Sequence, residues 1–284
     1  RYAAQIRRRF EGLARDVLAI FERIPVYQVN DLRGPEVRYG LTPEQLAGIA
    51  EELQAAVARW IAAGRDLSHV MWWEPYTEEA MHLGTAQSAS NLAGLSASYA
   101  AARSLEAIVY SEPYRTRVAM AKFKSYEHWT GLAAEQRQAL AQLIGQAVAD
   151  GKSPRAVRTL IAEQMGVGKA KALQYAQTDI TDTLRQARWA ESEAAEAELG
   201  IRTGLLWTSA FKPTTRPWHA SRSGRVYTPA ECRAFYAERG NRYNCYCGQT
   251  ECLLDANGKP ILTKTLQSAM ANERKAWQSV HAKG

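Results

Sequence analysis

Up to Gly200 the apolar residues of this chain recur at a spacing of three to four, and beyond Gly200 they do not. That period marks one buried face per helix, so it restricts the first two-thirds of the chain to a helical body. Ile6, Phe10, Leu13, Ala14, Val17, Leu18 and Phe21 form the first such face, with Arg7-Arg8-Arg9 on its solvated flank. Thr42-Pro43-Glu44-Gln45 is a helix start: Thr42 caps, Pro43 suits the first turn and Gln45 completes a capping box. The helix it opens should bury Leu46, Ile49, Leu53, Val57, Trp60 and Ile61 and stop at Gly64.

After the aromatic connector Met71–Tyr76, Thr77-Glu78-Glu79 begins a helix to about Ser104 that is rich in Gly, Ala and Ser. Small side chains permit close helix approach, inside the fold or on a docking surface. Ser111-Glu112-Pro113 opens another helix through Phe123 and Trp129, and Leu140, Leu143, Ile144, Ala147 and Val148 mark the next, closed by Asp150-Gly151. Ser153-Pro154 caps a short helix ending near Met165-Gly166, and a long one begins near Gly168. Its apolar face (Leu173, Ala176, Ile180, Leu184, Ala187) stands opposite a short-chained polar one, Thr178, Asp179, Thr181, Asp182, Thr183 and Arg185. With no third acidic ligand nearby, Asp179 and Asp182 suggest a face turned to solvent or a partner contact rather than a metal pair. Ile24–Gly40 follows no period and is expected to be a loop or arm.

Past Gly200, strand-like runs at Gly204–Thr208, Arg225–Thr228 and Pro260–Leu262 alternate with Gly and Pro, before a last helix from Lys264 to about Val280. The expected class is mainly α, a helical N-terminal body followed by a small α+β module containing the cysteines. A chain of 284 residues with 46% apolar content has ample material for a core. No window is apolar enough for a membrane span and no secretory signal opens the chain, so no membrane partner is expected. The chain opens at Arg1 without a methionine, as a processed or fragmentary chain would.

All four cysteines fall in this module, at Cys232, Cys245, Cys247 and Cys252, with His219 just upstream. Thiols so clustered in an otherwise thiol-free chain fit a reducing cytoplasm better than a secreted disulfide scaffold. Zinc takes four nitrogen or sulfur ligands in a tetrahedron. The candidate set is His219, Cys245, Cys247 and Cys252, with Cys232 in reserve. The alternative is that all four thiols pack as small buried hydrophobes, with His219 hydrogen-bonded to a backbone carbonyl.

Charge is distributed as unevenly as sulfur. The net charge is +7, yet from Ile201 onward thirteen Lys and Arg stand against five Asp and Glu, while residues 1–200 are nearly neutral. A basic module beside a neutral body suits contact with a polyanion such as nucleic acid, or else a solvated surface. Arg216, Arg222, Arg225, Arg233, Arg239 and Arg242, interleaved with Trp218, Tyr227, Tyr236 and Tyr243, are the candidates for non-specific binding of double-stranded DNA.

Several short motifs come in a recognisable order. They are Gly166-Val167-Gly168-Lys169-Ala170, Tyr175-Ala176-Gln177-Thr178-Asp179, Gly200, and Leu206-Trp207-Thr208-Ser209-Ala210. Then follow Thr215-Arg216-Pro217-x-His219, Gly224-Arg225-Val226-Tyr227 and Asn244-Cys245-Tyr246-Cys247. Over about residues 153–255 the chain resembles the phage Mu F-like head morphogenesis family. The resemblance implies a minor capsid protein of a tailed bacteriophage, present in few copies near the portal. Its partners would be the portal protein or the major capsid protein, together with packaged DNA. Its location would be the virion head, after assembly in the host cytoplasm. It also implies a division into a docking arm, 1–152, and a family module, 153–284, made of helices 153–199, a Cys-rich part 200–262 and a terminal helix 264–280.

The chain departs from that pattern where Lys212 and Pro213 stand in an Asp region, and where Arg216 and His219 occupy Cys-x-x-Cys positions. Cys245-Tyr246-Cys247 stands where the family closes on Cys-Arg-Cys. If the family module binds zinc, Arg216 removes one ligand and Cys252 or Cys232 must replace it. Two other functions compete with a structural virion role. One is a nucleic-acid-directed enzyme, a nuclease or toxin-like transferase, with His219 as acid/base and Arg216 on phosphate. No Ser-His-Asp order or paired-carboxylate cleft supports it, and Gly166-Val167-Gly168-Lys169 lacks the Walker spacing, so no catalytic residue is assigned. The other is a host-side DNA-binding regulator, for which no helix-turn-helix or finger spacing is visible.

Overall fold

The computed structural model describes residues 1–31, 34–62 and 71–281. Their elements run α1 (Tyr2–Glu22), β1 (Val26–Asp31), β2 (Gly34–Tyr39), α2 (Pro43–Val57), a π-helical turn Ala58–Ala62, α3 (Glu74–Leu95), α4 (Ala97–Ala102), α5 (Leu105–Tyr110), α6 (Glu112–Ala149) and α7 (Pro154–Leu199). Then come β3 (Thr203–Thr208), α8 (Pro217–Ala220), β4 (Val226–Tyr227), α9 (Pro229–Ala237), β5 (Gly248–Leu253) and α10 (Lys264–His281). The chain is mainly α with a small sheet in the cysteine-bearing part, as the periodicity requires. It divides into two compact units, Arg1–Glu74 with Phe123–Ala176, and Pro75–Lys122 with Gln177–Gly284.

In the first unit α1 buries Ile6, Phe10, Leu13, Val17, Ile20 and Phe21, one face as the spacing dictates. Trp73 stacks on Trp129 with ring centroids 5.7 Å apart, and Trp72 meets Trp129 edge-on at 4.6 Å. Arg9 is drawn out of the expected solvated flank: its guanidinium lies 4.3 Å from the Trp72 ring and donates to the Trp60 carbonyl. Thr42 caps α2, and the capping box with Gln45 is complete in both directions. Leu53, Val57 and Ile61 are buried, but Leu46 is 49% exposed, because the first turn of α2 lies beyond the core. Gly64, the expected helix stop, lies outside the described residues.

The stretch expected to be a loop at Ile24–Gly40 is a hairpin, β1 antiparallel to β2, with Val26 opposite Tyr39 and Tyr27 opposite Arg38. Valine and tyrosine favour extended backbone even where apolar alternation is imperfect. Tyr39 anchors the hairpin by donating to the Lys152 carbonyl, in the turn between α6 and α7. Two helix breaks expected from the sequence are absent. Residues 112–149 form one helix, and Gly166 and Gly168 lie inside α7. A Cβ at Gly168 would stand 2.5 Å from Gln136 and 2.8 Å from Phe10, so this glycine permits close packing rather than ending a helix.

In the second unit the small-residue face of α3 is buried, at Thr77, Ala80, Met81, Gly84, Thr85, Ser88, Ala89 and Leu92. It packs with Tyr99, Ile108, Tyr114, Ala187 and Ala195 in one cluster, so these small residues serve internal approach rather than an exposed docking face. Glu251, from β5, is buried beneath α3, where it accepts from Ser88 and Asn91 and pairs with Arg188. The sheet has strand order β4-β3-β5, all antiparallel. Leu205 and Trp207 point to one side with Trp189 and Tyr236, while Leu206 points to the other with Met270. Helix α9 and strand β5 lie between the runs expected at Arg225–Thr228 and Pro260–Leu262, and of the last run Pro260 forms only an isolated bridge to Leu254. The sign of α9 was present in the sequence: Thr228-Pro229-x-Glu231 is a capping box, and it closes as one.

Candidate metal centre

His219 sits on α8, a single turn entered through Pro217, and it is buried. The Cys245-Tyr246-Cys247 loop enters β5 immediately afterwards, following Asn244, which adopts the left-handed region at φ 52°. Asparagine tolerates that region better than most residues. The loop is fastened from behind by α7. Thr178 accepts from the Asn244 backbone N–H at 3.1 Å, and Arg185 donates to the carbonyls of Cys245 and Cys247 while stacking 4.3 Å from the Tyr236 ring. The polar face of α7 expected to meet solvent or a partner is therefore buried, at Thr178, Asp179, Asp182, Thr183 and Arg185.

The ligand-forming atoms of His219, Cys245 and Cys247 all lie within 4.8 Å of one another. His219 Nδ1 is 3.3 Å from Cys245 Sγ and 3.9 Å from Cys247 Sγ. For zinc, with bonds of about 2.3 Å to sulfur and about 2.0 Å to nitrogen, a tetrahedral edge from N to S is about 3.5 Å. The two distances straddle that edge. The other ring nitrogen, Nε2, is 3.2 Å from Asn241 Oδ1. Asn241 is itself oriented, because its Nδ2 donates to the Phe235 carbonyl and Trp218 Nε1 donates to its Oδ1. Arg216 Nη1 lies 3.3 Å from the same Nε2. Nδ1 faces the two sulfurs and is the nitrogen that would bind an ion there, with Nε2–H then held by Asn241.

The sulfurs are prepared as well. The Cys247 thiol hydrogen-bonds to Cys245 and lowers its pKa to about 3, with His219 and the Arg185 guanidinium acting in the same direction. That same bond raises Cys247, as does burial. An ion would take both sulfurs as thiolates, and its binding would release the proton that the pair holds. These three residues fit a borderline-soft divalent ion.

Cys252 and Cys232 stand apart from them. In β5 successive side chains alternate faces, so Cys252 falls opposite Glu251 and Gln249. It packs with Leu206 and Met270 and donates to the Gly204 carbonyl. Cys232 is buried on α9 within the cluster around Trp207 and, unlike Cys245 and Cys247, is not grouped with His219. Thr178, Arg185 and Asn241 escaped the reading of ligands. The short-chained polar run on α7 was the one signal for Thr178 and Arg185, and Asn241 had none.

Of the six arginines, Arg225 and Arg239 are exposed. Arg216 donates to the carbonyls of Asn241 and Tyr243. Arg222 lies against the rings of Tyr227, Phe235 and Trp207, at 3.8, 4.2 and 4.8 Å. Arg233 pairs with Glu193, and Arg242 lies 3.7 Å from Asp182. His219 and Arg216 adjoin each other, but both nitrogens of His219 are engaged. No helix among the described residues is long and apolar enough to cross a membrane.

Residues 138–250 match the family model described as Phage Mu protein F like protein, which assigns this stretch to that family. The matched region holds all of α7 and the complete His219, Cys245 and Cys247 group. No curated protein and no solved structure shows significant similarity to the chain.

Proposed function

We propose that this chain, whose residues 138–250 form a Phage Mu protein F like domain, is a minor capsid protein of a tailed bacteriophage. In this reading it docks at the portal region inside the head through its helical arm and contacts packaged DNA without sequence preference. The family match is the observation that carries the reading, because it supports a protein of phage head morphogenesis. The DNA contact draws its support from charge: the excess of Lys and Arg lies wholly beyond Ile201, and Arg225 and Arg239 are exposed there. The role in the head is tested by fractionating assembled heads and portal rings from infected cells. The chain should travel with both, and recovery only as free protein would sink the reading.

We further propose that the ion of the module is zinc, held by His219, Cys245 and Cys247, with Asn241 fixing the imidazole. Zinc in such a place ties the α8 turn to the start of β5. It substitutes for the core that a three-stranded sheet with one two-residue strand cannot supply. Elemental analysis of chain purified without chelator should find one zinc per molecule, and a metal-free protein with four titratable thiols would refute it.

A further inference from the structure

Three protein ligands leave a tetrahedral ion one position short, and the surroundings indicate what fills it. No fourth protein ligand is in reach among the described residues: Cys252 lies on the other face of β5, and the His, Cys, Asp and Glu grouping stops at three. The hydroxyls beside the sulfurs, Tyr236 at 3.6 Å from Cys245 Sγ and Ser209 Oγ at 3.8 Å from Cys247 Sγ, are both neutral. The three ligands instead form one wall of an open cleft whose other walls are Lys212, Thr214, Thr215, Arg216, Asn244 and Tyr246. No carboxylate lines this cleft. Lys212 stands at its rim with Nζ 3.2 Å from the centre of the Tyr246 ring.

The charges decide the occupant. Two thiolates neutralise a divalent ion, so exposed Lys212 and half-buried Arg216 leave the cleft with a net positive charge. A three-ligand zinc with an open position binds an exogenous donor there. The donor that satisfies both ion and cations is an oxyanion. Thr214, Thr215 and Asn244 supply hydroxyl and amide donors for oxygens that the metal does not take. We propose that the metal site is completed from outside, by an oxygen of a phosphate group seated in the Lys212–Arg216 cleft. This rests on the zinc reading above. Phosphate here has two sources, free inorganic phosphate and the backbone of a nucleic acid.

The full chain loaded with cobalt(II) in place of zinc tests the two claims separately. Cobalt bound by two thiolates and an imidazole gives a visible absorption whose shape depends on the fourth ligand. Inorganic phosphate should shift that absorption saturably, and Lys212→Ala should weaken the phosphate affinity several-fold without changing the cobalt stoichiometry. A short single-stranded oligonucleotide forms the second arm. A matching shift identifies backbone phosphate as the source, while a response to inorganic phosphate alone identifies the free anion. One cobalt per chain with a spectrum indifferent to both probes overturns this inference and leaves the metal site standing. A folded chain that takes no cobalt overturns both.

Discussion

Arg185 Nη2, on α7, donates to the carbonyl oxygen of Cys245 at 2.7 Å. A buried guanidinium thereby holds the loop that presents the sulfurs, with Nε and Nη2 reaching the Cys247 carbonyl as well. Replacing it with methionine fills the space and strands both carbonyls. Arg185→Met should cost roughly 2–4 kcal/mol, read in urea unfolding, because hydrogen bonds from charged donors are lost and buried acceptors are left unpaired. It should also lower zinc occupancy, which a purely distant packing defect would not.

Cys252 separates the ligand set read from spacing from the one read from geometry. Cys252→Ala should keep a full complement of metal and lose about 1 kcal/mol of stability, typical of a buried small-residue change. Cys245→Ser should release the metal. Loss of metal in Cys252→Ala would put that thiol back in the coordination shell.

The same thiol sets a pH dependence. Burial, partly offset by its hydrogen bond to the Gly204 carbonyl, raises Cys252 from 9.0 to about 11. Below about pH 9 folded and unfolded chains both hold this proton. As pH rises toward 11 the unfolded chain releases it while the folded chain keeps it, so stability falls across that window. Urea unfolding under reducing conditions should show a shallower alkaline decline in Cys252→Ala than in the parent chain.

Gly84 lets α3 close on α7: a Cβ there would stand 2.8 Å from Ala187 Cβ and 2.9 Å from the Leu184 carbonyl. Alanine favours helix by about 1 kcal/mol over glycine, so an exposed Gly84→Ala would stabilise. Here the obstacles include backbone, and the change should instead destabilise by about 1–3 kcal/mol in thermal or urea melts.

DNA binding, measured against salt, should divide the arginines by exposure. Arg225→Glu with Arg239→Glu should weaken binding and flatten its salt dependence, by a log–log slope of about 0.9 for each lost phosphate contact. Arg222→Ala should leave affinity unchanged and lower stability by about 1–2 kcal/mol, since its guanidinium is spent on three aromatic rings. Equal effects from both changes would mean that the arginines do not meet DNA as separate groups.

Local chemistry settled what local residues can settle. The 3.6-residue period of Ile6–Phe21 and the Thr42–Gln45 capping box determined helices whatever surrounds them. The clustering of His219 with the thiols marked the module, and the motif order pointed to the family whose model matches residues 138–250. The tertiary structure decided wherever one residue's conformation depends on a distant neighbour. Gly168 stays helical because Gln136 and Phe10 occupy the space a side chain would need. The hairpin at Val26–Tyr39 is anchored on a turn more than a hundred residues away. The polar stripe of α7 is buried because its partners, Asn244 and the Cys245 and Cys247 carbonyls, arrive sixty residues later in the chain. Spacing cannot reveal such partners. Nor can it say on which face of β5 a thiol falls. The pleat turns Cys252 from the site, and the register that fixes it exists only once β5 has paired with β3.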